Sequence, residues 1–210
     1  MRQPSTVVDW VAARPARSFF TPQDVPGSPR AIDSALSRLA ASDGPIQRVR
    51  QGLYWKKPPS TRFGTARPDP TDAAFAVAGP GAGLAGASAA NALGLSTQVA
   101  RQPTIAVVGR PPKGLHGVRL TSRSNPQRIL LNQLEVTVLE ALRDFPDHSE
   151  LRWPAARDRI RRFVTDGRVD LDQLAAVAAA ERRPGLTDRI AELAAPCKRS
   201  SKTTAPVMGL

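Results

Sequence analysis

Up to Gly44 the apolar positions recur at helical spacing in short runs, each opened by a capping signal. In "STVVDWVAA" (5–13), Ser5 or Thr6 caps a short amphipathic helix. In "TPQDV", Thr21 is the cap and Pro22 takes the first helical position, where a missing N–H costs no hydrogen bond, so a second short helix is predicted. "SPRAIDSALSRLAASDG" repeats the signal with Ser28 and Pro29 and predicts a third helix that Gly44 stops. Ile32, Ala35, Leu36 and Leu39 form one stripe of it, which leaves Arg30, Asp33, Ser34, Ser37 and Arg38 on the opposite face. The period then changes. "PIQRVRQGLYWKKPP" reads as two strands joined at Gln51-Gly52, with Val49 expected opposite Tyr54.

"STRFGTARPDP" has no apolar period and ends in prolines, which marks a linker over 61–70. Beyond it, "TDAAFAVAGP" opens with a Thr-Asp capping pair and is rich in alanine, so it predicts a helix. "TIAVVG" and "VRLTSR" predict strands joined by a proline and glycine turn, "RPPKGLHG". "EVTVLEALRDF" predicts a helix stopped by Pro146, and "AARDRIRRFV", "DLDQLAAVAAAE" and "LTDRIAELAA" predict three more. Asp170 with Gln173 has the spacing of a capping box. The expected class is α+β: a winged helix-turn-helix domain over 1–60, the linker, and a mixed α/β, mostly helical C-terminal domain over 71–196. The polar, aperiodic segment 197–210 is expected to be a disordered tail.

"GPGAGLAGASAANALGL" (79–95) tests that picture, because Gly81, Gly83 and Gly86 have the spacing G-x-G-x-x-G of a dinucleotide-binding turn. That turn requires a preceding strand and a carboxylate about 20 residues on for the ribose. The preceding segment reads as a helix, and from Ala73 to Leu134 there is no Asp or Glu. The glycines are therefore expected to open a close-packed helix that Gly94 stops.

A net charge of +12 and a pI near 11.3 point to a polyanionic partner. Arg48, Arg50, Lys56 and Lys57 crowd the predicted wing. Ser28, Arg30, Ser34, Ser37 and Arg38 on the third helix, with Arg48, Arg50, Gln51, Lys56 and Lys57 on the hairpin, are the expected contacts to double-stranded operator DNA. Arg30 is expected to read a base edge, and Lys56 and Lys57 to hold phosphate. Catalytic candidates are weak. His116 sits in a glycine turn and His148 follows "FPD" at a helix end, Ser88 lacks the G-x-S-x-G spacing, and Asp69 and Asp72 read as linker and cap. Two histidines and the single Cys197 make no zinc cluster, so neither enzyme activity, metal nor cofactor is expected. The lone cysteine fits a reducing cytoplasm, and no apolar run approaches the roughly 20 residues that span a bilayer.

Four motifs in order, "RVRQGLY" (48–54), "GASAANALGL" (86–95), "QPTIAVVG" (102–109) and "LEVTVLEALRD" (134–144), resemble the AbiEi-type antitoxins of bacterial toxin-antitoxin operons. The resemblance spans about residues 5–145 and departs from the family pattern at Leu93, where relatives often carry histidine. It implies an N-terminal winged helix that represses its own operon and a C-terminal domain that neutralises a nucleotidyltransferase-fold toxin. The dense charge run "RDRIRRF" then makes Arg157, Arg161 and Arg162 the expected toxin contacts, with Trp153 and Phe163 as aromatic anchors. Two other functions stand beside this one: a ligand-responsive transcription regulator with no toxin partner, and an enzyme acting on nucleotides.

Overall fold

The computed structural model describes residues 6–195 apart from 42, 61, 63 and 65, so Ser5 and the segment 197–210 with Cys197 lie outside the described residues. The fold is α+β, built from short helices and two three-stranded sheets. Thr6 caps α1 (Val7–Ala13), its hydroxyl oxygen accepting from the Asp9 amide at 3.2 Å. The two-residue β1 (Phe19–Phe20) follows, too short to show alternation in the sequence. The expected second helix is only a 3-10 turn, Pro22–Asp24. Asp24 accepts from both the amide and the hydroxyl of Thr21, and Pro26 lacks the N–H that a further α-turn would need.

α2 (Pro29–Leu39) begins at Ser28 and Pro29 as expected, although the Ser28 side chain makes no capping bond. It ends before Gly44, whose N–H instead closes a turn on the Ala41 carbonyl at 2.8 Å. The hairpin of β2 (Ile46–Arg50) and β3 (Leu53–Lys56) pairs Arg50 with Leu53 across Gln51-Gly52, and Arg48 with Tyr54. Val49 is thus a bulge and not the partner of Tyr54. Gly52, at φ 75°, fixes the two-residue loop, while burial of Ile46 and Tyr54 fixes the register further along, so the extra residue is absorbed between them. β3 is the central strand and also pairs with β1. Beneath this sheet Val11, Phe20, Val25, Ile32, Leu36, Ile46 and Tyr54 form one apolar core, with Phe20 and Tyr54 stacked at 5.8 Å.

α3 (Pro70–Ala78) is capped by Asp69, which accepts from the amides of Thr71 and Asp72 at 2.7 and 3.1 Å. The Thr-Asp pair is therefore inside the helix, and the expected linker ends in its cap. In the second sheet β5 (Thr104–Val108) lies between β4 (Gly83–Leu84), antiparallel to it, and β6 (Arg119–Arg123), parallel to it. "RPPKGLHG" is consequently a crossover returning the chain to the same end of the sheet, made without a helix. A 3-10 segment, Pro126–Leu130, leads to α5 (Gln133–Arg143), which is buried from Glu135 to Leu142. α4 (Gly86–Ala92), α6 (Trp153–Thr165), α7 (Leu171–Ala179) and α8 (Leu186–Ala194) contribute to one core with it.

The glycines have steric causes. A Cβ on Gly83 would stand 2.7 Å from the Val136 side chain, and one on Gly81 2.8 Å from the Arg128 backbone. Gly83 lets β4 lie directly on α5, where the Leu84 amide donates to the Thr137 hydroxyl at 3.1 Å. Gly86 (φ 55°) opens α4 and Gly94 (φ 69°) follows its last turn. The Asp170 capping box is half made: Asp170 accepts from the amides of Asp172 and Gln173, but the Gln173 side chain donates instead to the Leu130 carbonyl at 2.7 Å. Glu135 supplies the returning bond. One of its oxygens accepts from the Asp170 amide at 2.9 Å and the other from the Asn132 amide at 2.8 Å.

Candidate nucleic-acid interface

α2 buries Ile32, Ala35 and Leu36, and this fixes the opposite face toward solvent. Ser28, Arg30, Asp33, Ser34, Ser37 and Arg38 are all exposed there. Arg38 bends back along the helix, its Nε donating to the Ser34 carbonyl at 3.3 Å, which leaves the start of the helix to Arg30. Between α2 and the hairpin runs a groove of about 400 Å³ lined by Pro22, Asp33, Ser37, Arg48, Gln51, Gly52 and Tyr54. This groove brings helix and hairpin candidates together: Ser37 faces Arg48 and Gln51 across it. Arg50 projects elsewhere, its Cβ 3.8 Å from the place a Cβ on Gly114 would take.

Lys56 and Lys57 sit at the other end of the hairpin, where backbone bonds tie Lys56 to Arg17 and Lys57 to Pro45. They line a separate groove of about 650 Å³ with Arg14, Asp43, Gly44 and Pro45. Arg14 is positioned there by stacking over Trp10 at 4.3 Å. The two grooves share no lining residue, so the basic surface of this part of the chain is divided.

The expected toxin contacts are less available than their sequence suggested. Both Nε and Nη2 of Arg161 donate to the Leu193 carbonyl, at 3.1 and 2.9 Å, closing the end of α8. Arg157 pairs with Asp158 at 3.1 Å. Arg162 is exposed. Trp153 is half-buried, set edge-on to Phe145 at 5.2 Å and donating its indole N–H to Glu192 at 2.5 Å, and Phe163 packs on the core.

Sequence reasoning missed a buried ionic cluster between β6, the 3-10 segment, α5 and α7. Arg128 and Glu140 are fully buried, with Nη1 2.6 Å from Oε1, a close ion contact off the hydrogen-bond axis. Arg128 Nε donates to Glu181 at 2.7 Å, Arg143 donates to the other oxygen of Glu181 at 2.6 Å, and Arg123 binds Glu140 through both Nε and Nη2. Burial pushes the Glu181 pKa up, but hydrogen bonding and charge from Arg128, with help from Asn125 and Arg143, outweigh it and hold the carboxyl below its ordinary value. The hydrogen bond to Glu140 holds the Arg123 pKa above its ordinary value. The sign available in the sequence was Glu140 falling among the apolar positions of α5. Beside the cluster opens a cleft of about 470 Å³.

Among the described residues no group of three or more His, Cys, Asp or Glu is placed to hold a metal ion, and no helix is long and apolar enough to cross a membrane. No protein-family model matches the chain, and no curated protein matches it. Among solved structures, the crystal structure of the RV2827C protein from Mycobacterium tuberculosis is similar at 19% identity, covering 89% of this chain and 74% of that chain with a TM-score of 0.46.

Proposed function

We propose that residues before the linker form a winged helix-turn-helix that binds operator DNA, and that the chain is a non-enzymatic antitoxin that represses its own operon in the cytoplasm. The observation that carries this reading is the exposed polar face of α2 standing across a groove from Arg48 and Gln51 of the hairpin. A helix inserted in the major groove presents such a face to base edges, and an adjacent hairpin lies along the backbone. Arg30, at the open start of α2, is the base-reading side chain; Arg48 and Gln51 hold the flanking phosphates. The neutralising role, toward a nucleotidyltransferase-fold toxin, rests on the resemblance to AbiEi-type antitoxins and is assigned to the chain beyond the linker.

The test is fluorescence anisotropy with a labelled fragment of the DNA upstream of the gene, against a random duplex of equal length. The reading requires tighter binding to the upstream fragment, lost on Arg30→Ala. Co-expression with the protein encoded beside it, scored for growth rescue and co-purification, tests the antitoxin half. A second reading, a ligand-responsive regulator without a toxin partner, is favoured by one observation, the arginine-lined cleft beyond β6.

A further inference from the structure

The cleft is walled by Ser122, Ser124, Gln127, Arg143, Glu181 and Arg182, with Arg123 at its base. Its charge balance is positive. Arg123, Arg128 and Arg143 face Glu140 and Glu181, which leaves one net positive charge in a largely dry cluster. Arg182 adds a second at the rim, and Asp144, 4.0 Å from Arg143, offsets one. The charge of Glu181 is offset by its partners, its oxygens accepting from Asn125, Arg128 and Arg143. The remaining donors line the opening. Arg143 uses only Nη1 in the cluster, and the side chains of Ser124, Gln127 and Arg182 engage no partner among the described residues.

Arg182 carries a further mark. Its backbone sits at φ 48°, a left-handed conformation that a side chain with a Cβ adopts only under strain and that clusters at ligand clamps. Glycine would take this position without steric strain, yet an arginine occupies it and lines the cleft.

We propose that this cleft binds a small phosphorylated molecule, its phosphate held by Arg182, Arg143, Ser124 and Gln127. The volume of about 470 Å³ lies in the range of small-molecule sites. Planar guanidiniums beside hydroxyl and amide donors match the tetrahedral oxygens of a phosphate. The buried ion cluster holds Arg143 in place through Glu181, so one of the four donors is positioned before the ligand arrives. The proposal deepens the ligand-responsive reading and does not depend on the DNA-binding one.

Calorimetry on the full chain with inorganic pyrophosphate as the probe tests it, wild type against Arg182→Gly. Saturable one-to-one binding is expected, weakened at least tenfold in Arg182→Gly, while the thermal midpoint without ligand stays equal or rises because the strained backbone is relieved. Arg30→Ala must bind pyrophosphate as the wild type does, which separates this site from the DNA surface. Absence of saturable heat at millimolar pyrophosphate, or equal affinity in Arg182→Gly, overturns the proposal. A random duplex that competes with pyrophosphate, in a manner lost with Arg182→Gly, overturns the small-molecule assignment in favour of a nucleic-acid phosphate.

Discussion

The α2–hairpin region and the β6–α7 region handle arginine in opposite ways. Around α2 the interior is wholly apolar, and Arg30 and Arg48 stand exposed on the outside. Around α5 the arginines turn inward: Arg128 is fully buried and Arg123 and Arg143 close over the same two glutamates. The same residue type therefore stands in solvent in one place and forms an internal brace in the other. A guanidinium can do either because it stays charged when buried and satisfies a carboxylate through a planar fork. Total charge measures neither role. What separates them is ion pairing: Glu140 and Glu181 bind the buried arginines, whereas among the described residues Arg30 and Arg48 make no ion pair.

The contrast is broken most forcefully at Arg128. Arg128→Ala removes the guanidinium that two buried carboxylates share and should cost about 3 to 5 kcal/mol in urea denaturation, whereas Arg128→Met with Glu140→Leu should recover much of that loss. Leu36→Ala, in the purely apolar core, should cost about 2 to 5 kcal/mol by the same measurement with no dependence on salt. On the exposed side, Arg30→Ala should change stability by no more than about 0.5 kcal/mol yet weaken operator binding by about 1 to 3 kcal/mol. Lys56→Ala sharpens the division of the basic surface: as a phosphate contact its loss should lower the salt slope by about 0.9 with sequence preference intact, and an unchanged slope excludes that groove from the DNA surface.

The smallest effect is in acid. Glu181, through Arg128, and Glu150, through the Thr97 amide and Ser96 hydroxyl, have folded pKa values below the unfolded value of 4.5. A depressed carboxyl contributes stability above its unfolded pKa, and that contribution disappears as the pH falls through the folded one. Stability should thus decline below about pH 4.5, and Glu181→Gln should flatten the decline while lowering the neutral plateau. A pH series of thermal midpoints reads both.

Elements with their own start signals were legible in the chain. Pro29 at the first helical position announced α2, and the Asp170 cap announced α7, because both signals act between neighbours in sequence. Capping details were not always local: the second half of the Asp170 cap comes from Glu135 on another helix. β1 and β4 escaped because two residues show no alternation, and their existence depends on β3 and β5 offering free edges. Val49 could not be recognised as a bulge, since two separate constraints, the Gly52 loop and the burial of Ile46, had to be combined. At the candidate interface the outward face of α2 followed from its apolar stripe, but the separation of Lys56 and Lys57 from Arg48 and Gln51 depends on how the hairpin seats against α1 and the turn at Gly44. Arg161 likewise read as available charge until α8 placed the Leu193 carbonyl beside it.

The doubly used carboxylate of Glu135 makes the first turns of α5 and α7 a single cooperative unit. The two cap-residue amides are held by one side chain, so those of Asn132 and Asp170 should exchange with solvent deuterium at matched rates despite their separation along the chain. Glu135→Gln, keeping one acceptor oxygen, should uncouple them: one amide remains slow and the other approaches the exchange rate of an open loop. The order in which they separate would reveal which helix the carboxylate serves first.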